Sequence, residues 1–169
     1  MPDSTQELKS LQAQVNALTS EVGRLRDLEA IQRTIYDYCH YHDRGMSDAV
    51  ANLFTEDATL EITGYGERLD TELRGREAIR AMYTRLDASW GGPPPSKHVV
   101  TNSRIELDGD EAIVVTYLAY GGERNEKGPG GSLYHERLRK EADGRWRFAH
   151  KRIVETTNVT VDAAVSAKI

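Results

Sequence analysis

Four strand-like segments fill the chain from residue 97 onward, and they constrain the fold more than any other feature. Apolar and polar residues alternate in each, as they do in half-buried β-strands. The segments are residues 97–107, 111–120, 132–142 and 145–157. Short turns containing Asp and Gly, at 108–110 and 142–144, join the first pair and the last pair. This spacing predicts two hairpins in a largely antiparallel sheet.

The first half of the chain has helical periodicity instead. Apolar residues recur at helical spacing in residues 27–44, and Gly45 follows as a C-terminal stop. Residues 47–54 predict a short helix, residues 58–63 a single strand, and residues 76–86 another amphipathic helix. Helices first and a long antiparallel sheet second favour the α+β class.

Residues 4–26 carry a heptad pattern. Their apolar residues alternate at spacings of three and four: Leu8, Leu11, Val15, Leu18, Val22 and Leu25. Such a stripe buries itself against another surface. Two interpretations remain open, a coiled coil with another helix or an amphipathic helix lying on its own domain.

Composition excludes several classes of protein. The formal net charge of −5 argues against nucleic-acid binding. No apolar run approaches the roughly 20 residues that cross a bilayer, and the polar N-terminus lacks a signal-peptide core, so we expect a cytoplasmic protein without membrane contact. A single cysteine, Cys39, excludes an internal disulfide, and the absence of Cys pairs and of an HExxH motif makes a structural zinc site unexpected.

Two features of the strand region concern surfaces rather than the core. Residues 112–115 are apolar on both faces of their strand, so one face needs cover from outside, which indicates a subunit interface. The loop 121–131 contains five glycines, which predicts a mobile rim or lid.

The end of the 27–44 helix concentrates ionisable and aromatic side chains. At about 100° per residue, Tyr38 and Asp43 flank the buried face marked by Ile35 and Cys39. Asp43 lies in the last turn, where the helix dipole disfavours a negative charge, and burial would raise its pKa. Asp43 therefore needs a partner or works as a base, unless it is merely an exposed residue that bonds the following loop.

His98 begins the first long strand. Period-two alternation places His98, Val100 and Asn102 on one face, which predicts a mixed polar pocket wall, and Val99 and Ile105 on the other. The alternative is that His98 is a satisfied structural group.

The last strand offers one further candidate. Strict alternation puts Trp146, Phe148, His150 and Arg152 on one face and Lys151 and Ile153 on the other. Arg152 then either clamps an oxyanion or forms an ion pair with Glu155 or Glu61.

The order and spacing of these elements resemble the SnoaL-like branch of the nuclear-transport-factor-2-like superfamily over residues 27–158. The matching elements are residues 28–38 with Asp43 after them, 53–58, 75–79, His98 with Thr101 and Asn102, and 143–148. The resemblance implies a cone, in which a curved antiparallel sheet wraps around about three helices and leaves a deep pocket at its open end. Residues 1–26 are then an extra helix, and residues 159–169 a tail.

Within that branch the chain looks like the group of bile acid 7α-dehydratase, scytalone dehydratase and hexachlorocyclohexane dehydrochlorinase. The resemblance implies a His–Asp dyad that works without a metal or an organic cofactor, and Asp43 and His98 match its two positions. Tyr38 matches the tyrosine of the bile acid dehydratase. The dehydrochlorinase has lysine there, which argues against dehydrochlorinase activity. Arg152 falls near the family's last-strand cation.

The resemblance thus implies a lyase that eliminates water, or loses a carbon fragment by retro-aldol cleavage. Its substrate would be small and largely apolar, either aromatic or polycyclic. His98, Asp43, Tyr38 and Arg152 are the expected catalytic residues. The expected substrate-binding residues are Asn102, Phe54, Val100 and Tyr117. Members of this branch are commonly trimers, so we expect a homotrimer.

Two rival functions remain. A ketosteroid-isomerase-like enzyme would use Asp43 as its base, and replacing His98 would then matter less than replacing Asp43. A non-catalytic ligand-binding protein, like the small subunit of ring-hydroxylating dioxygenases, would tolerate the loss of both residues. Fold alone does not decide between these functions.

Overall fold

A computed structural model describes residues 4–67, 69–94, 97–121 and 130–156. Helices and strands follow the predicted α+β order. The helices are α1 (Ser4–His42), α2 (Ser47–Ala51) and α3 (Arg76–Trp90). The strands are β1 (Phe54–Thr63), β2 (Thr71–Arg74), β3 (Lys97–Asp108), β4 (Glu111–Gly121), β5 (Gly130–Lys140) and β6 (Trp146–Glu155). None of the helices in these ranges combines the length and the apolar character needed to span a membrane.

The six strands form one curved sheet that does not close on itself. Their order is β2-β1-β6-β5-β4-β3, and every neighbouring pair is antiparallel except β1 and β6, which are parallel. The second half of α1 packs on β3 and β6, and α3 packs on β1 and β2. The core between them is formed by Ile31, Ile35, Val50, Phe54, Leu60, Ile79, Val114, Leu138 and Phe148, each at most 1% exposed. The predicted cone-like arrangement is confirmed.

Helix α1 is continuous across the predicted boundary between residues 26 and 27. No proline interrupts it, and Gly23 has open space around its Cα. Its second half buries Ile31, Ile35 and Tyr38 in the core, whereas its first half is exposed along its whole length. The heptad stripe therefore does not lie on its own domain within the part of the chain that is described.

Several element boundaries differ from the predicted ones. The short helix ends at Ala51, because β1 begins already at Phe54. Helix α3 extends beyond the predicted end at residue 86 to Trp90, where Gly91, with a left-handed φ of 68°, caps it. Strand β2 is short and partly exposed and was not predicted. Of the loop predicted at 121–131, Gly121 ends β4 and residues 130 and 131 begin β5. Residues 122–129 and the tail at 159–169 lie outside the described residues.

An irregularity in β3 shifts its side-chain pattern by one residue. The pairing with β4 slips between Thr101 and Arg104, and Asn102 has a left-handed φ of 54°. An extra residue of this kind moves every later side chain to the opposite face. Ile105 therefore packs against the core, and Asn102 is exposed. The prediction that Asn102 shares the face of His98 was wrong for this reason.

A second irregularity lies in β6. Arg137 of β5 pairs with His150, but its neighbour Leu138 pairs with Phe148, so one residue of β6 is left between them. Beyond this point Lys151 faces the core, and Arg152 faces out. Strict alternation, which placed Arg152 with Phe148, was therefore wrong.

Candidate active site

The candidate site forms where α1 ends and β3 begins. Gly45, with a left-handed φ of 66°, donates its N–H to the carbonyl of His42 and ends the helix. The ammonium of Lys97 donates to the backbone carbonyl of Asp43 at 2.7 Å. A cation at this position satisfies a free carbonyl and complements the negative end of the helix dipole. These contacts hold the start of β3 against the last turn of α1.

Asp43 and His98 form a close pair. Nδ1 of the His98 ring lies 2.5 Å from Oδ1 of Asp43, and the backbone N–H of His98 donates to Oδ2 at 3.0 Å. Only 11% of the His98 side chain and 16% of the Asp43 side chain are exposed. The carboxylate therefore holds both the ring and the strand that carries it.

The charge on Asp43 determines which nitrogen of His98 carries the proton. Burial alone would raise the pKa of Asp43, but the hydrogen bonds from the ring and the backbone of His98 outweigh it and lower that pKa. Asp43 is thus an ionised acceptor, so Nδ1 must be the donor. In the neutral ring Nε2 is then unprotonated, and none of the described residues hydrogen-bonds it. An imidazole with a free Nε2 and a carboxylate on Nδ1 is suited to accept a proton.

His42 is a second imidazole beside this pair. Its ring centroid lies 4.6 Å from that of His98. Burial, together with the nearby His98 ring, lowers the pKa of His42 to about 3, so this ring is neutral. Its Nδ1 is buried and has no hydrogen-bond partner among the described groups. Ligand atoms of His42, Asp43 and His98 lie within 4.8 Å of one another, but a cation there would have to displace the proton between Asp43 and His98.

Tyr38 supplies a hydroxyl group that is paired with the hydroxyl of Tyr83. It lies one turn before His42 on α1, is 2% exposed, and its ring stands edge-on to His98 with centroids 6.2 Å apart. The hydroxyl groups of Tyr38 and Tyr83 are 2.8 Å apart. Burial raises the pKa of both phenols, so both keep their protons. Since only one hydroxyl donates to the other, the second proton of the pair remains available.

A buried ion pair lies next to the Tyr38 ring. Lys151 donates to Glu136, and neither side chain has any exposed surface. The ammonium also lies over aromatic rings, 4.1 Å from the centroid of Tyr38, 3.7 Å from that of Tyr134 and 4.8 Å from that of Phe148. Burial lowers the pKa of Lys151. The interior of the sheet therefore contains a cation that is held by one carboxylate and three rings.

The other predicted site residues lie in different environments. Phe54 is fully buried in the core and edge-on to Tyr38, and Val100 packs on the core next to the start of β3. Asn102 and Tyr117 are exposed on the outer side of the sheet. Arg152 is half exposed, and its Nε lies 3.7 Å from Glu61. The structure thus brings Asp43, His98 and Tyr38 together. It places Asn102, Tyr117 and Arg152 away from them.

Sequence reasoning missed His42, Tyr83, Glu136 and Lys151. A signal for Lys151 was available: inward apolar residues have even numbers at Trp146 and Phe148 but an odd number at Ile153. Such a change of parity within one strand requires an extra residue between them. For Tyr83 and Glu136 the sequence offers no comparable mark.

A groove elsewhere on the domain is less suited to chemistry. It has a volume of about 660 Å³ and lies between α1, α2 and the turn before β6. Arg33 and Arg147 in its lining are already paired with Glu29 and Asp143. It contains no residue of the Asp43–His98 pair, so we place the candidate active site at that pair.

Known proteins share this fold. An NTF2-like protein with a cystatin-like fold from Novosphingobium aromaticivorans superposes with a TM-score of 0.71 at 20% identity, covering 90% of this chain and 96% of that one. A protein of unknown function from Mycobacterium tuberculosis gives 0.67 at 25% identity, covering 84% and 82%. The dehydrochlorinase LinA gives 0.66 at 19% identity, covering 85% and 98%.

The sequence comparisons identify the family. No curated protein sequence matches the chain significantly. The model of the SnoaL-like domain matches residues 23–152, which include both members of the Asp43–His98 pair and most of the sheet. The resemblance drawn from the sequence is thereby confirmed, and the chain belongs to the SnoaL-like domain family, with the NTF2-like fold.

Proposed function

We propose that this protein is a cofactor-independent lyase that acts on a small, largely apolar aromatic or polycyclic substrate. The observation that carries the proposal is the 2.5 Å contact between Asp43 and Nδ1 of His98, which leaves Nε2 of that ring as a base. The chain's membership of a family that includes dehydratases and dehydrochlorinases also supports it.

In the proposed reaction Nε2 of His98 removes a proton from a carbon next to an electron-withdrawing group. The electron pair left on that carbon forms a double bond to its neighbour, and the carbon–oxygen bond at the neighbour breaks. The departing oxygen takes a proton from the Tyr38–Tyr83 hydroxyl pair and leaves as water. The proton on His98 then returns to that pair through solvent, so substrate gives only alkene and water. Asp43 stabilises the imidazolium in between.

The alternative with Asp43 itself as the base has less support. Its carboxylate already accepts hydrogen bonds from both the ring and the backbone of His98, and its lowered pKa makes it a weaker base. A free Asp43 carboxylate with His98 turned elsewhere would have favoured the isomerase.

The domain is also proposed to assemble into a homotrimer, as the family resemblance implies. The outer face of β3 and β4 carries an apolar patch in which Val99 is 56%, Ile113 58% and Tyr117 55% exposed. Contact between copies would cover this patch. An Ile113→Asp variant should then have a lower mass by light scattering than the wild type. An unchanged mass would exclude this surface.

The lyase proposal is tested with a panel of aromatic and polycyclic β-hydroxy ketones. Loss of water is read from the absorbance of the new conjugated double bond and from the mass of the product. His98→Gln should abolish turnover that the wild type shows. His150→Gln is the matched control, since His150 also lies in a strand and bonds a carboxylate, Glu61, at 2.9 Å. Equal turnover by wild type and His98→Gln on every compound, or products that keep the substrate's mass, would overturn the proposal.

A further inference from the structure

We propose that the first half of α1 pairs with the same segment of a second copy of this chain, as a parallel two-stranded coiled coil in register. The contact surface is the α1 stripe, which we define as Leu8, Leu11, Val15, Leu18, Val22 and Leu25. This pairing is independent of the chemistry at Asp43 and His98.

The α1 stripe is apolar and solvent-exposed over its whole length. Its six side chains are between 43% (Val22) and 67% (Leu8) exposed. An isolated exposed leucine needs no explanation, but six in one line along a helix leave a continuous apolar surface that an aqueous protein covers. Among the described residues no part of the domain does so, because the contacts of α1 with the domain begin only near Asp27, which bonds Trp146 and Lys140.

The kinds of residue in the stripe indicate what covers it. In heptad notation Leu8, Val15 and Val22 occupy the a positions, and leucines 11, 18 and 25 occupy the d positions. A β-branched residue at a with leucine at d favours two parallel strands over three or four. A stripe of this kind is complementary to itself, so a second copy of the chain fits it without any further partner.

Charges beside the stripe favour the parallel arrangement. In a parallel pair each g position faces the e position five residues later on the other helix. Glu21 is at g and Arg26 at e, so each Glu21 would face the opposite copy's cation, twice per pair. The other two such contacts, Glu7 with Gln12 and Gln14 with Thr19, contain no like charges. An antiparallel pair would place g against g and lose the match between Glu21 and Arg26.

The length of the stripe is sufficient in this setting. Three heptads as a free peptide are marginal, because the first helical turn is costly to form. Here the same helix continues to His42, and the core holds its second half through residues such as Ile35 and Tyr38. The helix is thus already formed before the copies meet, and pairing bears a smaller ordering cost.

The mass of the full-length protein by light scattering tests the pairing. Leu11→Glu/Leu18→Glu places two charges in the stripe and should halve the mass. Ala13→Glu/Ser20→Glu is the matched control, since it adds the same charges at the same seven-residue spacing on the opposite side of the helix. Both variants also carry Ile113→Asp, which removes the proposed sheet-face contact, so that the helix pair alone joins two copies and its loss halves the mass. An unchanged mass, or a fall to one third, would overturn the proposal.

Disulfide trapping tests direction and register. Leu8→Cys and Leu25→Cys lie at opposite ends of the stripe, and each should form a symmetric disulfide-linked dimer on mild oxidation. The wild type is the control, because its only cysteine, Cys39, is buried. An antiparallel pair would link the two variants only when they are mixed, which would contradict the proposal. Glu21→Arg should weaken the assembly, and Glu21→Arg/Arg26→Glu should restore it.

Discussion

Oδ1 of Asp43 lies 2.5 Å from Nδ1 of His98, and the same carboxylate accepts the backbone N–H of that histidine. Asp43 ends a helix, and His98 begins a strand 55 residues later. One ionised group therefore fixes the position, the orientation and the tautomer of the proposed base.

Replacing Asp43 by Asn should leave the fold intact and reduce kcat/KM by about 10²–10⁴-fold. The amide can donate to Nδ1, which favours the tautomer with the proton on Nε2 and removes the base. KM should change little, because Asp43 contacts His98 and not the substrate. Steady-state kinetics measure this effect, and Glu61→Gln, which removes the carboxylate beside His150, is the control expected to keep full activity.

His42 should make the protein sensitive to acid. Its folded pKa of about 3 lies below the usual value near 6.5, so below ~6.5 the unfolded chain binds a proton that the folded one does not. The free energy of unfolding should therefore fall by about 1.4 kcal/mol for each pH unit between roughly 6 and 4 from this group alone. Denaturant titrations across this range should show a shallower fall in His42→Phe. Parallel curves for both proteins would contradict the buried neutral state of His42.

Breaking the Lys151–Glu136 pair on one side should cost more than removing it. Lys151→Met leaves a buried carboxylate without its cation, and should lower the free energy of unfolding by about 3–5 kcal/mol. Lys151→Met/Glu136→Leu should recover most of that loss, since apolar side chains suit a site lined by Tyr134 and Phe148. Chemical denaturation of the wild type, Lys151→Met, Glu136→Leu and the double variant gives the coupling free energy between the two residues. Additive losses would show that the pair does not act as a unit.

The hydroxyl groups of Tyr38 and Tyr83 should behave as one donor. Tyr38→Phe and Tyr83→Phe are each expected to reduce kcat, and the double variant should be little worse than the more damaging single one, because either change breaks the same contact. Steady-state rates of the three variants measure this. A double variant whose loss equals the product of the single losses would assign the two hydroxyl groups separate roles.

The overall fold was predictable because the periodicity of apolar residues over whole segments determines the class and order of its elements. Helical spacing before residue 90 and alternation after residue 97 suffice to predict an α+β chain, and both tight turns occur where the spacing places them. The Asp43–His98 contact joins residues far apart in sequence, and only the family resemblance related the two before the structure did.

The wrong predictions concern which face of the sheet single side chains occupy, and the errors in β3 and β6 have the same cause. A single extra residue in β3 and another in β6 reverse the faces that strict alternation assigns to the residues after them. Ser103 therefore faces inward in place of Asn102, and Lys151 in place of Arg152. An extra residue is visible in the sequence only where the inward apolar residues of one strand change from even to odd numbers, or the reverse. The partner of Tyr38 was beyond reach, because Tyr83 comes from another helix whose position depends on the whole core.

The tautomer of His98 decides whether Asp43 prepares this ring as a base. ¹⁵N NMR of histidine-labelled protein measures the tautomer at a pH where the ring is neutral. In the wild type we expect a proton on Nδ1 and none on Nε2, and Asp43→Asn should lose this preference. A proton on Nε2 in the wild type, or a tautomer mixture that Asp43→Asn does not change, would contradict the dyad and the proposed function with it.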